Sequence, residues 1–280
     1  MIIFKKASQL TSFLEQQKTE GKKTGFVPTM GALHEGHLTL IKTSKMQVGH
    51  TVASIFVNPT QFNNPNDFKL YPVTIEKDIK QLEAAGCDIL FLPAVDEIYP
   101  PSYAKPHYDL GDIENRLEGF YRPGHFQGVC QVVDRLLQIV NPDHLYLGQK
   151  DFQQCMVIKK LLEITGRDKS IKLEIVPTQR EADGLAMSSR NLRLNEDQRK
   201  KATVIYRELS RIKAGLQNQP FEELKQKATA RLSHEGFNVD YVEIANRQDL
   251  SAATDPSQPL VVLAAASIGE IRLIDNLLLN

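Results

Sequence analysis

The stretch that decides the fold is GFVPTMGALHEGH, residues 25–37. Gly25 to Pro28 is a short apolar run that reads as a buried strand, and Gly36 to Gly49 follows with helical periodicity. The segment between them therefore leaves a strand and opens a helix. Gly31 and Gly36 let backbone approach a ligand closely. A helix N-terminus offers unpaired N–H groups and the positive end of a dipole, which suits a phosphate. His34 and His37 are three apart, so both imidazoles can face one pocket from the first turn. There they can hydrogen-bond α- and β-phosphates as charge moves onto a leaving pyrophosphate. The same spacing suits a metal, but no third ligand lies nearby. Two structural histidines in a turn are the plainer alternative.

Outward from this stretch, helix and strand patterns alternate. Helical spacing covers Ser8 to Glu20, Val73 to Ala85, Phe126 to Val140 and Phe152 to Thr165. Strand-like runs cover Thr51 to Val57, Asp88 to Leu92, Leu145 to Leu147 and Ile171 to Val176. That alternation predicts an α/β fold, a doubly wound parallel sheet with helices on both faces. Such sheets bind ligands beyond the carboxyl ends of their strands. From Pro177 the pattern changes to two charged helices, Glu196 to Leu216 and Phe221 to Glu235. Strand-like runs follow at Val239 to Ile244, Leu260 to Ala265 and Ile271 to Ile274. This predicts two domains, 1–176 and a smaller α+β C-terminal domain, 177–280.

Lys plus Arg and Asp plus Glu both number 34, so nothing in the charge balance points to a nucleic-acid partner. Cys87, Cys130 and Cys155 are odd in number without C-x-x-C spacing, and read as buried core thiols of a reducing cytoplasm. The N-terminal residues MIIFKKASQL show no signal-peptide pattern. The apolar stretch Pro259 to Ile268 is too short to span a bilayer, so no membrane partner is expected.

Three further segments carry chemistry. Met187-Ser188-Ser189-Arg190, after Gly184, sets two hydroxyls and a guanidinium side by side and can wrap a triphosphate; a polar loop with a capping serine is the alternative. Gly148-Gln149-Lys150-Asp151 follows a strand directly. Lys150 can reach phosphate oxygens and Asp151 can accept from ribose hydroxyls, although a surface turn would look the same. Gln61, just past a strand, and Gln154, one turn after Lys150, are neutral amides. They can hold a hydroxyl and a carboxylate without an ion pair that would blunt the carboxylate's nucleophilicity. Taken singly, each reads equally as an exposed glutamine.

These segments resemble a known family. H-x-G-H and the serine–arginine loop are similar to the paired elements of the nucleotidyltransferase superfamily, with Arg190 where a lysine is usual. The strings PTMGALHEGH, SIFVNPTQF, RPGHFQGV, GQKDFQQ, PTQREADGLAMSSRN and RLIDN resemble the pantothenate synthetases (pantoate–β-alanine ligases) from residue 28 to residue 276. The resemblance implies a Rossmann-like nucleotide-binding domain and the condensation of (R)-pantoate with β-alanine. ATP-Mg²⁺ would be consumed and a pantoyl adenylate would be the intermediate. It implies that Met30, Gly31, Ala32, Leu33, His34, Glu35, Gly36 and His37 bind ATP, with His37 as proton donor and His34 stabilising the transition state. Gly148, Gln149, Lys150 and Asp151 would hold ribose and phosphates, with Lys150 catalytic. Met187, Ser188, Ser189 and Arg190 would hold the triphosphate, and Gln179 would offer backbone to adenine. Gln61 and Gln154 would bind pantoate, and Gln61 also β-alanine. No residue is assigned as a direct metal ligand; Mg²⁺ is expected on the ATP phosphates. A cytoplasmic homodimer is also implied.

The chain departs from the family pattern in places. Gln149 lacks the negative charge usual there, Val73 stands where a cation is usual over the cleft, and Gly128-Val129-Cys130-Gln131 alters an apolar segment. Asn63 to Tyr71 is a candidate lid over a water-sensitive acyl adenylate. Two other readings compete. A transferase that places a nucleotide on a phosphate acceptor would want basic residues in place of Gln61 and Gln154. A binding module that had lost catalysis would not need His34, His37, Lys150 and Arg190 together.

Overall fold

The computed structural model describes residues 1–63 and 65–280. The elements in chain order begin with β1 (Ile2–Phe4), α1 (Ala7–Thr19), β2 (Thr24–Thr29), α2 (Glu35–Gln47) and β3 (His50–Ile55). The chain continues through α3 (Pro65–Lys69), α4 (Ile75–Ala84), β4 (Ile89–Phe91), α5 (Val95–Ile98) and α6 (Glu118–Tyr121). Then come α7 (His125–Val140), β5 (His144–Gly148), α8 (Phe152–Ile164) and β6 (Lys172–Val176). Last are α9 (Glu196–Gly215), α10 (Phe221–His234), β7 (Asn238–Asn246), β8 (Leu260–Ile268) and β9 (Ile271–Leu278).

The first six strands form one parallel sheet in the order β1-β4-β3-β2-β5-β6. Side chains alternate across it. Phe26, Val52, Phe91, Leu145 and Leu147 pack on one face against α1, α7 and α8. Val27, Ala53, Leu90 and Tyr146 pack on the other against α2 and α4. Burial on both faces is why these strands read as continuous apolar runs. The strand order reverses between β2 and β5, so the crevice beyond Thr29 and Gly148 is the switch point where such sheets take ligands.

Strands β7, β8 and β9 form a separate antiparallel sheet. One face packs on α9 and α10. The other, through Ala245, Val261 and Leu263, packs on Phe152 at the start of α8. The doubly wound sheet with a smaller α+β portion behind it is thus the architecture expected. Two elements differ. Ile2–Phe4 forms an edge strand, too short to show a period and defined only by its partner β4. The candidate lid 63–71 holds the helix α3, and its residue 64 lies outside the described residues.

Candidate active site

At the switch point a cleft of about 210 Å³ is lined by Met30, His34, Gly36 and His37 from the β2–α2 turn. Gln61, Gly148, Lys150, Asp151, Gln154 and Gln179 line it too, with Met187, Ser188, Ser189 and Arg190 on its far side. Residues as far apart in sequence as Met30 and Arg190 therefore meet in one cavity. Five of the residues that the resemblance assigns to ATP, Gly31, Ala32, Leu33, Glu35 and Gln149, do not line this cleft. Gly31 and Ala32 have φ of +80° and +48°, which turns them towards a separate hollow beside Asp78 and Val73. Leu33 is buried in the core with Leu38 and Ile55. Glu35 faces solvent in an ion pair with Lys42. The Gln149 amide turns away to donate to Asn276 Oδ1 at 3.2 Å. Val73 is exposed and lines that separate hollow, so the missing cation is not a gap over this cleft.

Asp78 of α4, fully buried, fixes the β2–α2 turn. Its carboxylate accepts from the N–H groups of Ala32 and Leu33, both at 2.9 Å, and from Thr74 Oγ1 at 3.0 Å. Gly31 N–H goes to Thr29 Oγ1 at 3.2 Å. These loop N–H groups are thus taken, which leaves contact with an anion to the imidazoles and the helix end. The His34 and His37 rings lie 4.0 Å apart. His37 Nδ1 accepts from the His34 N–H at 3.4 Å, which puts the neutral ring's proton on Nε2. Burial pushes the His37 basicity down to about 4, against the pull of Asp151 and Asp78. Burial, then His37 and Lys150, push His34 down to about 2. Both rings are neutral N–H donors at neutral pH.

The serine–arginine loop is tied to that turn, because Ser189 Oγ donates to the Ala32 carbonyl at 2.9 Å. Its stem is a small hairpin: Arg180 bridges to Ala186, and Met187 N–H donates to the Gln179 carbonyl at 3.0 Å. Arg190 donates to Asp67 of α3 at 2.7 Å, and Arg193 donates to the same carboxylate at 2.8 Å. Lys150 Nζ stands 3.8 Å from Asp151.

At the other end the cleft is neutral. Gln61 Oε1 accepts from Asn58 Nδ2 at 3.1 Å. Asn58, buried, also donates to the Gly128 carbonyl at 3.1 Å and accepts from Tyr99 Oη at 2.9 Å. A side chain at Gly128 would meet the Thr60 carbonyl at 2.5 Å, so only glycine lets α7 come this close to the Gln61 turn. His125 Nδ1 lies 2.8 Å from the Gln61 carbonyl, and burial pushes this imidazole down to about 3. Asp67, Asp78, Asn58 and Asn276 were not legible as site residues. The one sequence signal was that Asn58 and Asn276 fall inside the strings SIFVNPTQF and RLIDN.

A doubly wound sheet fronted at its switch point by H-x-G-H and a serine–arginine loop defines a nucleotide-using transferase or ligase. The sequence model of the family described as pantoate-beta-alanine ligase matches residues 2–278. The chain belongs to that family, and its activity is that of a pantoate–β-alanine ligase in pantothenate biosynthesis. It is 46% identical to the pantothenate synthetase of Dehalococcoides mccartyi, over 91% of this chain and 95% of that one. It is 43% identical to that of Alteromonas mediterranea, over 99% of both. The crystal structure of pantothenate synthetase from Thermus thermophilus superposes with a TM-score of 0.93 at 38% identity, over 99% of both chains. The Francisella tularensis ligase, complexed with beta-gamma ATP and beta-alanine, superposes with a TM-score of 0.83 at 38% identity. It covers 99% of this chain and 97% of that one. Among the described residues no helix is long and apolar enough to cross a membrane.

Proposed function

We propose that this cleft joins (R)-pantoate to β-alanine in two steps. A pantoate carboxylate oxygen attacks the α-phosphorus of ATP, the bond to the β-phosphate oxygen breaks, and pyrophosphate leaves with the electron pair. The β-alanine amine then attacks the acyl carbon and loses a proton, and AMP departs. Hydroxide is too poor a leaving group for direct acylation, and adenylation removes that difficulty. Positioning and charge stabilisation then supply the catalysis.

The observation that carries this reading is the lining of one cleft, which brings the neutral amides of Gln61 and Gln154 together with the imidazoles of His34 and His37, the Lys150 ammonium and the Arg190 guanidinium. Gln61 and Gln154 hold pantoate, and Gln61 also meets β-alanine. His34 and His37 donate hydrogen bonds to phosphate oxygens. His37 is neutral in the free cleft, and the negative charge of bound phosphates raises its affinity for a proton, which lets it act as a proton donor to the leaving pyrophosphate. Lys150, Met187, Ser188 and Arg190 hold the triphosphate, Gly148 and Asp151 the ribose, and Gln179 offers its backbone to the adenine. Ser189 serves by tying the loop to Ala32.

Mg²⁺ fits this donor set as an ion held mainly by phosphate oxygens and water. Asp151, the one carboxylate lining the cleft among the described residues, is given to the ribose, so phosphate oxygens and water would hold the ion. Bound there, Mg²⁺ neutralises phosphate charge. The units 1–176 and 177–280, a cytoplasmic homodimer, and a lid at 63–71 complete the reading.

The test is exchange of labelled pyrophosphate into ATP, without β-alanine. Exchange that needs pantoate and collapses in His37→Ala supports the adenylate. A folded, ATP-binding protein without exchange overturns it.

A further inference from the structure

Arg272 to Asp275 of the RLIDN strand line the hollow that adjoins the cleft beside Lys150, Asp151, Ser188 and Arg190, whereas Asn276 lines neither and instead grips a loop. Asn276 of β9 is almost fully buried. Its Nδ2 donates to the Gln149 carbonyl at 2.9 Å and to the Lys150 carbonyl at 2.8 Å, while Oδ1 accepts from the Gln149 amide. Two adjacent carbonyls require a two-proton donor facing them, which Asn provides and Asp does not. The neighbouring Asp275 takes Arg180 in a bidentate pair at 2.7 and 3.0 Å. Arg180 also donates to the Asn276 carbonyl at 3.1 Å and to the Gly184 carbonyl at 3.1 Å, and stacks over Tyr206 at 3.9 Å. It thereby anchors the hairpin that carries Gln179 and the serine–arginine loop.

We propose that Asn276 is a positioning residue, which fixes the Gln149–Asp151 turn so that the Lys150 ammonium faces the ATP phosphates. Asp275 and Arg180 set the serine–arginine loop against it from the same strand. The inference rests on Lys150 binding phosphate. Gln149 strengthens the clasp in this chain, because its amide donates to Asn276 where a carboxylate has no proton to give.

The experiment is a double-mutant cycle read by calorimetric ATP binding. It uses the wild type, Asn276→Ala, Lys150→Ala and the double variant, with melting temperatures recorded for each. The single variants are expected to weaken ATP about tenfold, and the double variant no more than Lys150→Ala alone. Asn276→Asp keeps the shape and loses the donors. Its ATP binding is expected to weaken further as pH rises, because a protonated carboxyl still donates to one carbonyl. Folded Asn276→Ala and Asn276→Asp proteins that bind ATP like the wild type overturn the clasp alone. So does a full additive loss in the double variant. A Lys150→Ala protein that binds ATP normally overturns the role of Lys150 and the clasp with it.

Discussion

Asp67 accepts from Arg190 at 2.7 Å, so a carboxylate from helix α3 sits on the guanidinium proposed to take the triphosphate. Burial works against the charge on Asp67, yet Arg190 and Arg193 hold its carboxyl below the usual range. ATP has to displace this carboxylate or accept its company. Asp67→Asn is therefore expected to lower the KM for ATP about two- to fivefold, the worth of a partly exposed ion pair. Steady-state kinetics at fixed pantoate would check it, and a raised KM would show that Asp67 instead aims Arg190.

Asp78, unlike Asp67, is fully buried, and its task is structural. Asp78→Ala leaves the N–H groups of Ala32 and Leu33 without their acceptor. The expected cost is about 3 kcal/mol of stability, from two unsatisfied buried donors. Denaturant unfolding measures this directly. Pyrophosphate exchange should fall more than tenfold, by order of magnitude, because the turn carrying His34 and His37 is released.

Three imidazoles, His125 buried and His34 and His37 half-buried in the cleft, predict an acid sensitivity. His34, His37 and His125 bind a proton less readily in the folded chain than in the unfolded one. Their contribution is complete above the ordinary histidine value, and it is lost as pH falls from there towards about 4 for His37. Each contributes a slope of up to about 1.4 kcal/mol per pH unit within that window. Melting temperature against pH should drop below about pH 6.5, and His125→Asn should make the drop shallower. Activity of the free enzyme should show no histidine titration between about pH 7 and 8.

At the end of the cleft proposed to take pantoate, Asn58 donates to the Gln61 side chain and so orients it. Asn58→Ala should raise the KM for pantoate about tenfold while the KM for ATP changes little, since one lost aiming hydrogen bond is worth about 1.4 kcal/mol. Gly128→Ala should act in the same direction by pushing the Thr60–Gln61 backbone away from α7. A change in the KM for ATP alone would put Gln61 at the wrong end of the cleft.

The sheet and its helices were legible because burial on one face leaves a period in the sequence. The run of α7, with Val129, Val132, Val133, Leu136 and Leu137, shows this well. The residues that line the cleft were legible as chemical types next to strand ends. Those that hold them in place were not. Asp78 looks like any acid in a first helical turn, and only the fold brings it to a loop 45 positions earlier. Arg190 was legible as a cation, but its engagement by Asp67 was not, because α3 is too short to announce itself. The resemblance assigns residues 31–33 to ATP with the rest of the segment 30–37. Positive φ angles at Gly31 and Ala32 turn that stretch back towards Asp78.

The bonds from Asn276 to the Gln149 and Lys150 carbonyls join a residue near position 280 to a turn near position 150. During translation every group lining the nucleotide cleft leaves the ribosome before Asn276 does. The parallel sheet can assemble early, while the turn carrying Lys150 waits for β9 to pair with β8. A nascent chain arrested before β9 would hold its histidines and serines yet lack the grip on that turn. The grip on the Lys150 turn therefore forms only once β9 has been made.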